Sequence, residues 1–332
     1  MLILCIKNVS SLIVLSLRKK EWVLQEQIFI NKDHKYLKGN LHTHTNLSDG
    51  RYSVSDVLNI YAKHQYDFIG ITDHDLYYET KENANDLIVL AGEEVSCNYV
   101  GDPECKGGYV HFSCFQKNGV PVDPMKYSHT SELQKCIDVL KKNYRLVQFN
   151  HPLFSVMFAK LHDSDLMSLN GYDLLEIYNH KDFFNETGLF GAEILVRTLL
   201  NEKKKIFLTA GDDFHGPYKK TKNDYFGGGY IMVDAEKNAE SILSAIETGN
   251  FYPTTGPEII DYRRIGNRLE ITTSPVKNII FYSNVRRCKN IMSDDNSDIT
   301  SGEYTIREDD YYIWAKIIDG SGKAAWTQPI YL

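Results

Sequence analysis

Leu41-His42-Thr43-His44-Thr45-Asn46-Leu47-Ser48-Asp49-Gly50, answered downstream by Thr72-Asp73-His74-Asp75, is the stretch from which the chain is best read. Side chains alternate along a strand with a period of two, so His42 and His44 lie on one face of a strand that opens with apolar Leu41. Asp49 follows in the next turn, and His74 closes the next apolar run. Imidazoles and carboxylates gathered in this way are ligands for divalent transition metals.

Working outward, short apolar runs alternate with helical periodicity. Strands are expected at 39–43, 68–72, 87–95, 109–115, 146–150, 174–178 and 206–210. Helices are expected between many of them: one capped by Ser53 or Ser55, one capped by Ser131, and one over 189–200. Strands alternating with helices imply parallel pairing, and seven of them suggest an α/β fold of the (β/α)7-barrel kind. A further helix over 239–248 stops at Gly249. After Tyr252-Pro253-Thr254-Thr255-Gly256-Pro257 the texture changes to alternating strands at 268–273, 277–282, 304–306, 311–318 and 326–332. The expected division is an N-terminal extension or extra strand over 1–36, a barrel over 37–256 and a small all-β domain over 257–332.

Composition narrows the class. The 332 residues are 42% hydrophobic and 24% charged, ordinary values for a globular chain with room for a large core. A net charge of −7 speaks against broad nucleic-acid or anionic-membrane binding, which needs a basic face. Cys5, Cys97, Cys105, Cys114, Cys136 and Cys288 are scattered without a C-x-x-C, so they read as reduced thiols of a cytoplasmic protein. The apolar stretch 1–17 is interrupted by Lys7, and its longest uninterrupted apolar run, 12–15, is far shorter than a membrane span. It reads as an extra strand or the product of an upstream start, with a poor signal sequence as the rival reading.

The metal-competent residues fall at strand ends. Glu93 and Glu94 end the third expected strand, His111 lies on the fourth, and His151 follows the fifth in Asn150-His151-Pro152. Asp212, Asp213 and His215 follow the seventh. In parallel α/β barrels these ends open on one face, where sites are built. Asp213, rather than Asp212, shares a strand face with His215. His34, His64, His129 and His162 show no such placement and read as ordinary polar residues.

These motifs in this order resemble those of the PHP (polymerase and histidinol phosphatase) superfamily of metallohydrolases: H-x-H…S-D-G, T-D-H, G-x-E-hydrophobic-S/T, a strand histidine, N-H-P and D-x-H, over about 39–216. The ending Ala325-Trp326-Thr327-Gln328-Pro329-Ile330 resembles that of a stand-alone branch that includes aryl carbamate ester hydrolases. The resemblance implies a distorted seven-stranded barrel holding two to three divalent ions, Zn, Mn or Fe. It implies His42, His44 and Asp213 for one ion, His111 and His151 for a second, Glu94 bridging the two, and Asp49, His74 and His215 for a third. The motif register selects Glu94 over Glu93 and Asp213 over Asp212.

Three divalent ions and three carboxylates would leave the site positive, so a small phosphorylated metabolite or nucleotide is the expected substrate, cleaved through a metal-bridged hydroxide. Besides Glu94, the candidate catalytic residues are Arg51, as a phosphate grip, and His180, as a general acid or substrate contact. A carbamate or carboxyl-ester hydrolase on the same site is the alternative enzyme, and a metal-binding regulatory module without turnover is the alternative of another class. The amidohydrolase superfamily also opens on H-x-H but favours a metal-bridging lysine, and no lysine is expected at a suitable strand end. Neither H-E-x-x-H, Walker A nor G-x-G-x-x-G occurs.

Overall fold

A computed structural model describes residues 26–79, 86–101, 108–118, 121–159, 161–181, 192–217, 226–284 and 287–332. Most of the expected N-terminal extension, the start of the expected 189–200 helix, Cys5 and Cys105 lie outside the described residues.

The first half of the chain runs β1 (Glu26–Ile30), β2 (Leu37–Asn40), α1 (Val54–Lys63), β3 (Phe68–Gly70), β4 (Ile88–Leu90), β5 (Gly92–Tyr99), β6 (Tyr109–Lys117), β7 (Met125–Tyr127), α2 (Thr130–Asn143) and β8 (Tyr144–Phe149). It continues through α3 (Pro152–Phe158), α4 (Asp163–Ser168), β9 (Leu174–Asn179), α5 (Glu193–Asn201), β10 (Phe207–Gly211), β11 (Tyr230–Val233), α6 (Ala239–Thr248) and β12 (Phe251–Thr254). The rest is strand: β13 (Ile259–Ile265), β14 (Arg268–Val276), β15 (Asn278–Ser283), β16 (Arg287–Ile291), β17 (Ile299–Thr305), β18 (Tyr312–Ile318), β19 (Ala324–Trp326) and β20 (Ile330–Tyr331).

The architecture is mixed α/β with three sheets. One has the order β10-β9-β8-β6-β5-β7, a second runs β16-β15-β18-β19-β12-β11-β2-β3-β4 with β20 beside β18, and the third is β1-β13-β14-β17. No sheet closes on itself among the described residues. Two isolated parallel bridges, Thr43↔Phe214 and His74↔Glu94, join the first two sheets where the sequence placed the site.

Several local expectations change. The expected strand 87–95 breaks at Ala91 into β4 and β5, which belong to different sheets. Pairing is not uniformly parallel: β6 is antiparallel to both β5 and β8. The link from β5 to β6 is too short for a crossover helix, and a parallel pair needs a connection of about a dozen residues or more. Helix α2 starts from His129, not Ser131, and makes no side-chain cap. Ser53 does cap α1, accepting from the Asp56 N–H, and Gly249 closes α6 at φ 77°. Val57, Leu58 and Tyr61 recur at helical spacing on α1 and are fully buried, each stabilising the fold by roughly 2 kcal/mol.

The C-terminal strands are built into the rest. Thr254 in β12 pairs with Ala325 in β19, so hydrogen bonding crosses the expected 256/257 boundary. Trp314 and Trp326 share a core cluster with Val147, Leu175 and Leu208 of the six-stranded sheet. Gln328 presents its amide to Leu208 of β10, with Oε1 accepting from N–H at 2.7 Å and Nε2 donating to C=O at 2.9 Å. No helix among the described residues is long and apolar enough to cross a membrane.

Candidate metal centre

The chain just beyond β2 carries His42 and His44 on one side and Thr43 on the other, where the Thr43 N–H donates to Thr72 Oγ1 at 3.0 Å. His42 Nδ1 lies 3.0 Å from Glu176 Oε1. That contact engages Nδ1 and leaves Nε2 facing Glu94 and Asp213. The turn that follows is held by Asp73, which accepts from the Thr45 N–H at 2.8 Å, Thr45 Oγ1 at 2.7 Å and Ser48 Oγ at 2.6 Å. That clasp carries Asp49 over the site, with Oδ1 3.2 Å from His215 Nε2 and 3.5 Å from His44 Nδ1, and Oδ2 3.7 Å from His74 Nε2.

Glu94 is the centre of the arrangement. Its Oε1 stands 3.2 Å from His42 Nε2, 3.2 Å from His111 Nδ1 and 3.4 Å from His151 Nε2. Its Oε2 stands 3.2 Å from both His44 Nε2 and His74 Nδ1. Asn150 steadies it, donating from Nδ2 to Glu94 Oε1 at 2.7 Å. Asp213 Oδ1 adds a second carboxylate oxygen, 3.2 Å from His44 Nε2, 3.3 Å from His215 Nδ1 and 3.4 Å from His42 Nε2.

Each pair of doubled acids faces two ways. Glu93, on the other face of β5, accepts from the Tyr144 hydroxyl, and burial pushes its carboxyl up to about 7. Asp212 turns away from Asp213 and accepts from the N–H groups of Gly227, Gly228 and Gly229 at 3.0, 2.8 and 3.0 Å.

The electrostatics are those of mutually compensating charges. Burial works against ionising Glu94, but His111, His42 and His74 hold its carboxyl well below the usual range. Burial likewise opposes the charge on Asp213, which His42, Lys181 and His215 keep ionised. For His42, the Asp213, Glu176 and Glu94 carboxylates outweigh burial and raise the imidazole well above its usual value. His74, His111 and His215 are lowered, chiefly by burial.

A metal fits these residues on one observation in particular. Both ring nitrogens of His44, His74 Nδ1, Glu94 Oε2 and Asp213 Oδ1 are buried yet make no hydrogen bond. Orphaned buried polar atoms are rare, and here they converge on one another. Among the described residues, four overlapping groups place ligand atoms within 4.8 Å of one another: His44, Asp49, His74 and His215; His42, His151 and Asp213; His42, His44 and Glu94; and His74, Glu94 and His111. His111 and His151, expected together, fall into separate groups, with ring centroids 5.3 Å apart.

The structure thus brings together His42, His44, Asp49, His74, Glu94, His111, His151, Asp213 and His215. Arg51 sits beside it, its N–H donating to the His215 carbonyl at 3.0 Å, and His180 follows β9. The Arg51 guanidinium donates to the Pro217 carbonyl. His180 Nδ1 is 2.9 Å from Tyr178 Oη, its ring is packed against Gly228, and burial with Lys323 nearby lowers it to about 4.

Four contributors had no role assigned from the sequence. Asp73 sits inside T-D-H and Asn150 inside N-H-P, where only the histidines were singled out. Glu176, which also accepts from the His151 N–H at 2.8 Å, was visible as an acid within apolar Leu174-Leu175-Glu176-Ile177. The fourth, Lys181, corrects the expectation that no lysine sits at a suitable strand end. It lies just beyond β9, with Nζ 3.6 Å from Asp213 Oδ2.

No family model matches the chain, and no curated protein matches its sequence. Among solved structures it is similar to one from Bacteroides vulgatus described as a two-domain protein containing a predicted PHP-like metal-dependent phosphoesterase. That likeness has 14% identity and a TM-score of 0.48, and covers 95% of this chain and 99% of the other. A second, from Bifidobacterium adolescentis, is described as a proposed metal-dependent phosphoesterase. There the identity is 16% and the TM-score 0.39, with 56% of this chain and 89% of the other covered. With both TM-scores below 0.5, neither likeness bears on what this chain does.

Proposed function

We propose that the chain is a PHP-type metal-dependent hydrolase that cleaves a phosphoester of a small phosphorylated metabolite or nucleotide. The observation that carries this reading is the buried Glu94 carboxylate, whose two oxygens face five histidines at 3.2–3.4 Å. A carboxylate so surrounded has the chemistry of a bridge between two ions. His42, His44, His111, His151 and Asp213 would complete that pair, and Asp49, His74 and His215 would hold a third ion. Such ions, Zn, Mn or Fe, supply Lewis acidity and bring the pKa of a bound water toward about 7.

The chain's own part is to fix geometry and charge. Glu176 holds the proton on His42 Nδ1, so that Nε2 is always the coordinating atom. Asn150 orients Glu94 while also donating to Ser113 Oγ at 2.8 Å. Asp73 sets the turn that carries Asp49. We read the strands around this site as a distorted barrel of seven, β2, β3, β5, β6, β8, β9 and β10. Support comes from the two bridges at Thr43 and His74, which link the sheets on either side of the metal residues.

The test is metal content with a paired assay on the purified chain, offering p-nitrophenyl phosphate, a nucleoside bisphosphate and an aryl carbamate. Bound metal with phosphate-ester turnover, abolished by chelator and by His44→Ala, supports the proposal. Turnover of the carbamate alone replaces the phosphoester with a carboxyl-type substrate. Metal without any turnover reduces the site to a binding module.

A further inference from the structure

We infer that Tyr109 and Phe154 are positioning residues of the metal centre, an aromatic bracket that keeps the His111 and His151 imidazoles turned to one oxygen of Glu94. The inference rests on the metal-dependent part of the reading above and adds the side chains that hold two of its ligands in place.

The bracket is encoded in two short spacings. Tyr109 and His111 are two apart on β6 and so share one face of the strand. His151 and Phe154 are three apart where α3 begins, and residues at that spacing are neighbours on a helix. There the Phe154 N–H donates to the His151 carbonyl at 3.0 Å. The antiparallel pairing of β6 with β8 brings the two pairs together, with the Asn150 N–H donating to the His111 carbonyl at 3.1 Å. The four rings close a circuit. Tyr109 lies parallel to His111, at 5° with centroids 4.3 Å apart, and Phe154 stacks on Tyr109 at 23° and 5.5 Å. Phe154 meets His151 edge-on at 70° and 5.4 Å, and His151 meets His111 at 72° and 5.3 Å.

Core packing explains these two rings poorly. Neither Tyr109 nor Phe154 belongs to an apolar core cluster of the described residues, and both line the cavity that holds Glu94. The torsion that turns an imidazole has only broad preferences, so the ring must be held from outside if one nitrogen is to stay on target. His42 is held through Nδ1 by the Glu176 carboxylate at 3.0 Å. His111 Nδ1 and His151 Nε2 stand 3.2 and 3.4 Å from Glu94 Oε1, and for these two rings the bracket takes that part. His74 also touches His111 at 4.7 Å, and His42 touches His151 at 5.6 Å, but both are candidate ligands that move with the set. A face-to-face contact suits a ligating imidazole, because it fixes the plane and leaves the nitrogens at the ring edge open.

The experiment uses the full chain, stripped by chelator and reloaded with Co²⁺, with Tyr109→Leu, Tyr109→Phe and Phe154→Leu beside the parent. Tyr109→Leu keeps apolar bulk and removes the aromatic face, whereas Tyr109→Phe keeps the face and removes the hydroxyl. Competition with a metallochromic chelator gives affinity, the visible Co²⁺ spectrum reports coordination geometry, and urea unfolding of the metal-free proteins reports stability. Tyr109→Leu should weaken one equivalent of Co²⁺ about 3- to 10-fold, the loss expected for one stacked ring pair, and alter its spectrum. Tyr109→Phe should match the parent in both, and Phe154→Leu should weaken the same equivalent by a similar factor. If Tyr109→Leu does not fold, Phe154→Leu carries the same test. Parent-like affinity and spectrum in the leucine variants overturn the inference. A loss in Tyr109→Phe equal to that in Tyr109→Leu also overturns it, by assigning the effect to the hydroxyl. Reduced metal-free stability with unchanged Co²⁺ affinity does so too, by making the rings purely structural. Ring-dependent Co²⁺ binding without ester turnover by the loaded parent leaves the inference standing and removes the hydrolase reading. Ester turnover with ring-independent Co²⁺ binding does the reverse.

Discussion

Glu93 and Glu94 are joined by one peptide bond, yet Glu94 faces five histidines while Glu93 accepts from the Tyr144 hydroxyl on the opposite face of β5. Two chemically identical side chains receive opposite environments from the strand pleat alone. In Glu94 the charge is held, and in Glu93 it is suppressed.

The first prediction uses that contrast. Glu94→Gln keeps the shape and removes the charge, so it should lose at least one equivalent of bound metal and lower activity by roughly a hundredfold or more. Glu93→Gln should leave metal content as it was. Elemental analysis of the two proteins decides the register, and an exchange of their phenotypes would mean that the pleat is inverted.

The pH dependence of Glu93 has a definite sign. Its carboxyl is raised from 4.5 to about 7 by burial, so the folded state holds the proton more tightly than the unfolded one. The associated stability is full below pH 4.5 and is lost as pH rises through about 7. The rise from 4.5 to about 7, at about 1.4 kcal/mol per pH unit, bounds the loss at about 3.5 kcal/mol. Urea unfolding of Glu93→Gln beside the parent should show the variant gaining relative stability from pH 5 to pH 8. A constant difference across that range would exclude the assignment.

Removing the metal should destabilise the whole chain, because the ligands come from β5, β6 and the segments after β2, β3, β8 and β10. Dialysis against chelator is expected to lower Tm, and added Mn²⁺ or Zn²⁺ should restore it. Saturation at a hundred times Kd corresponds to about 2.7 kcal/mol. A Tm indifferent to metal would leave the orphaned atoms of His44, Glu94 and Asp213 without explanation.

Glu176 should behave as a positioning residue. In Glu176→Gln the His42 Nδ1–H keeps an acceptor but loses a charged one, and metal affinity should fall about 10- to 100-fold. Competition with a metallochromic chelator measures this directly. An unchanged affinity would show that the ring of His42 is oriented by packing alone.

The glycine run offers a packing test. A Cβ on Gly228 would lie 2.0 Å from the His180 ring, so Gly228→Ala should cost about 2 kcal/mol. Combining it with His180→Ala should recover part of that loss, and strict additivity in the double-mutant cycle would rule out the contact.

Much of this was legible in the sequence because two periodicities did the sorting. The placement of His42 and His44 and most of the strands near the site follow from alternation and strand-end position, while the choice of Glu94 over Glu93 came from the motif register. What was not legible depends on partners distant in sequence. Nothing local to Gly92-Glu93-Glu94 shows that the chain changes sheets at Ala91. The antiparallel direction of β6 is set by the short link that precedes it. Glu176, Asn150 and Asp73 act on atoms already counted as ligands, and such support carries no motif of its own.

The Gln328 amide has a consequence beyond fastening the C-terminal segment. β10 is the outermost strand of its sheet, and its free edge would offer unpaired backbone groups to any other chain in extended conformation. Gln328 meets both the donor and the acceptor of Leu208 at that edge, standing in for one residue of a neighbouring strand. The Tyr331 hydroxyl accepts from the Ile206 N–H at 3.0 Å, just before the strand begins. These two side chains satisfy backbone groups that an uncovered edge would leave open, so their loss should show as aggregation before it shows as unfolding.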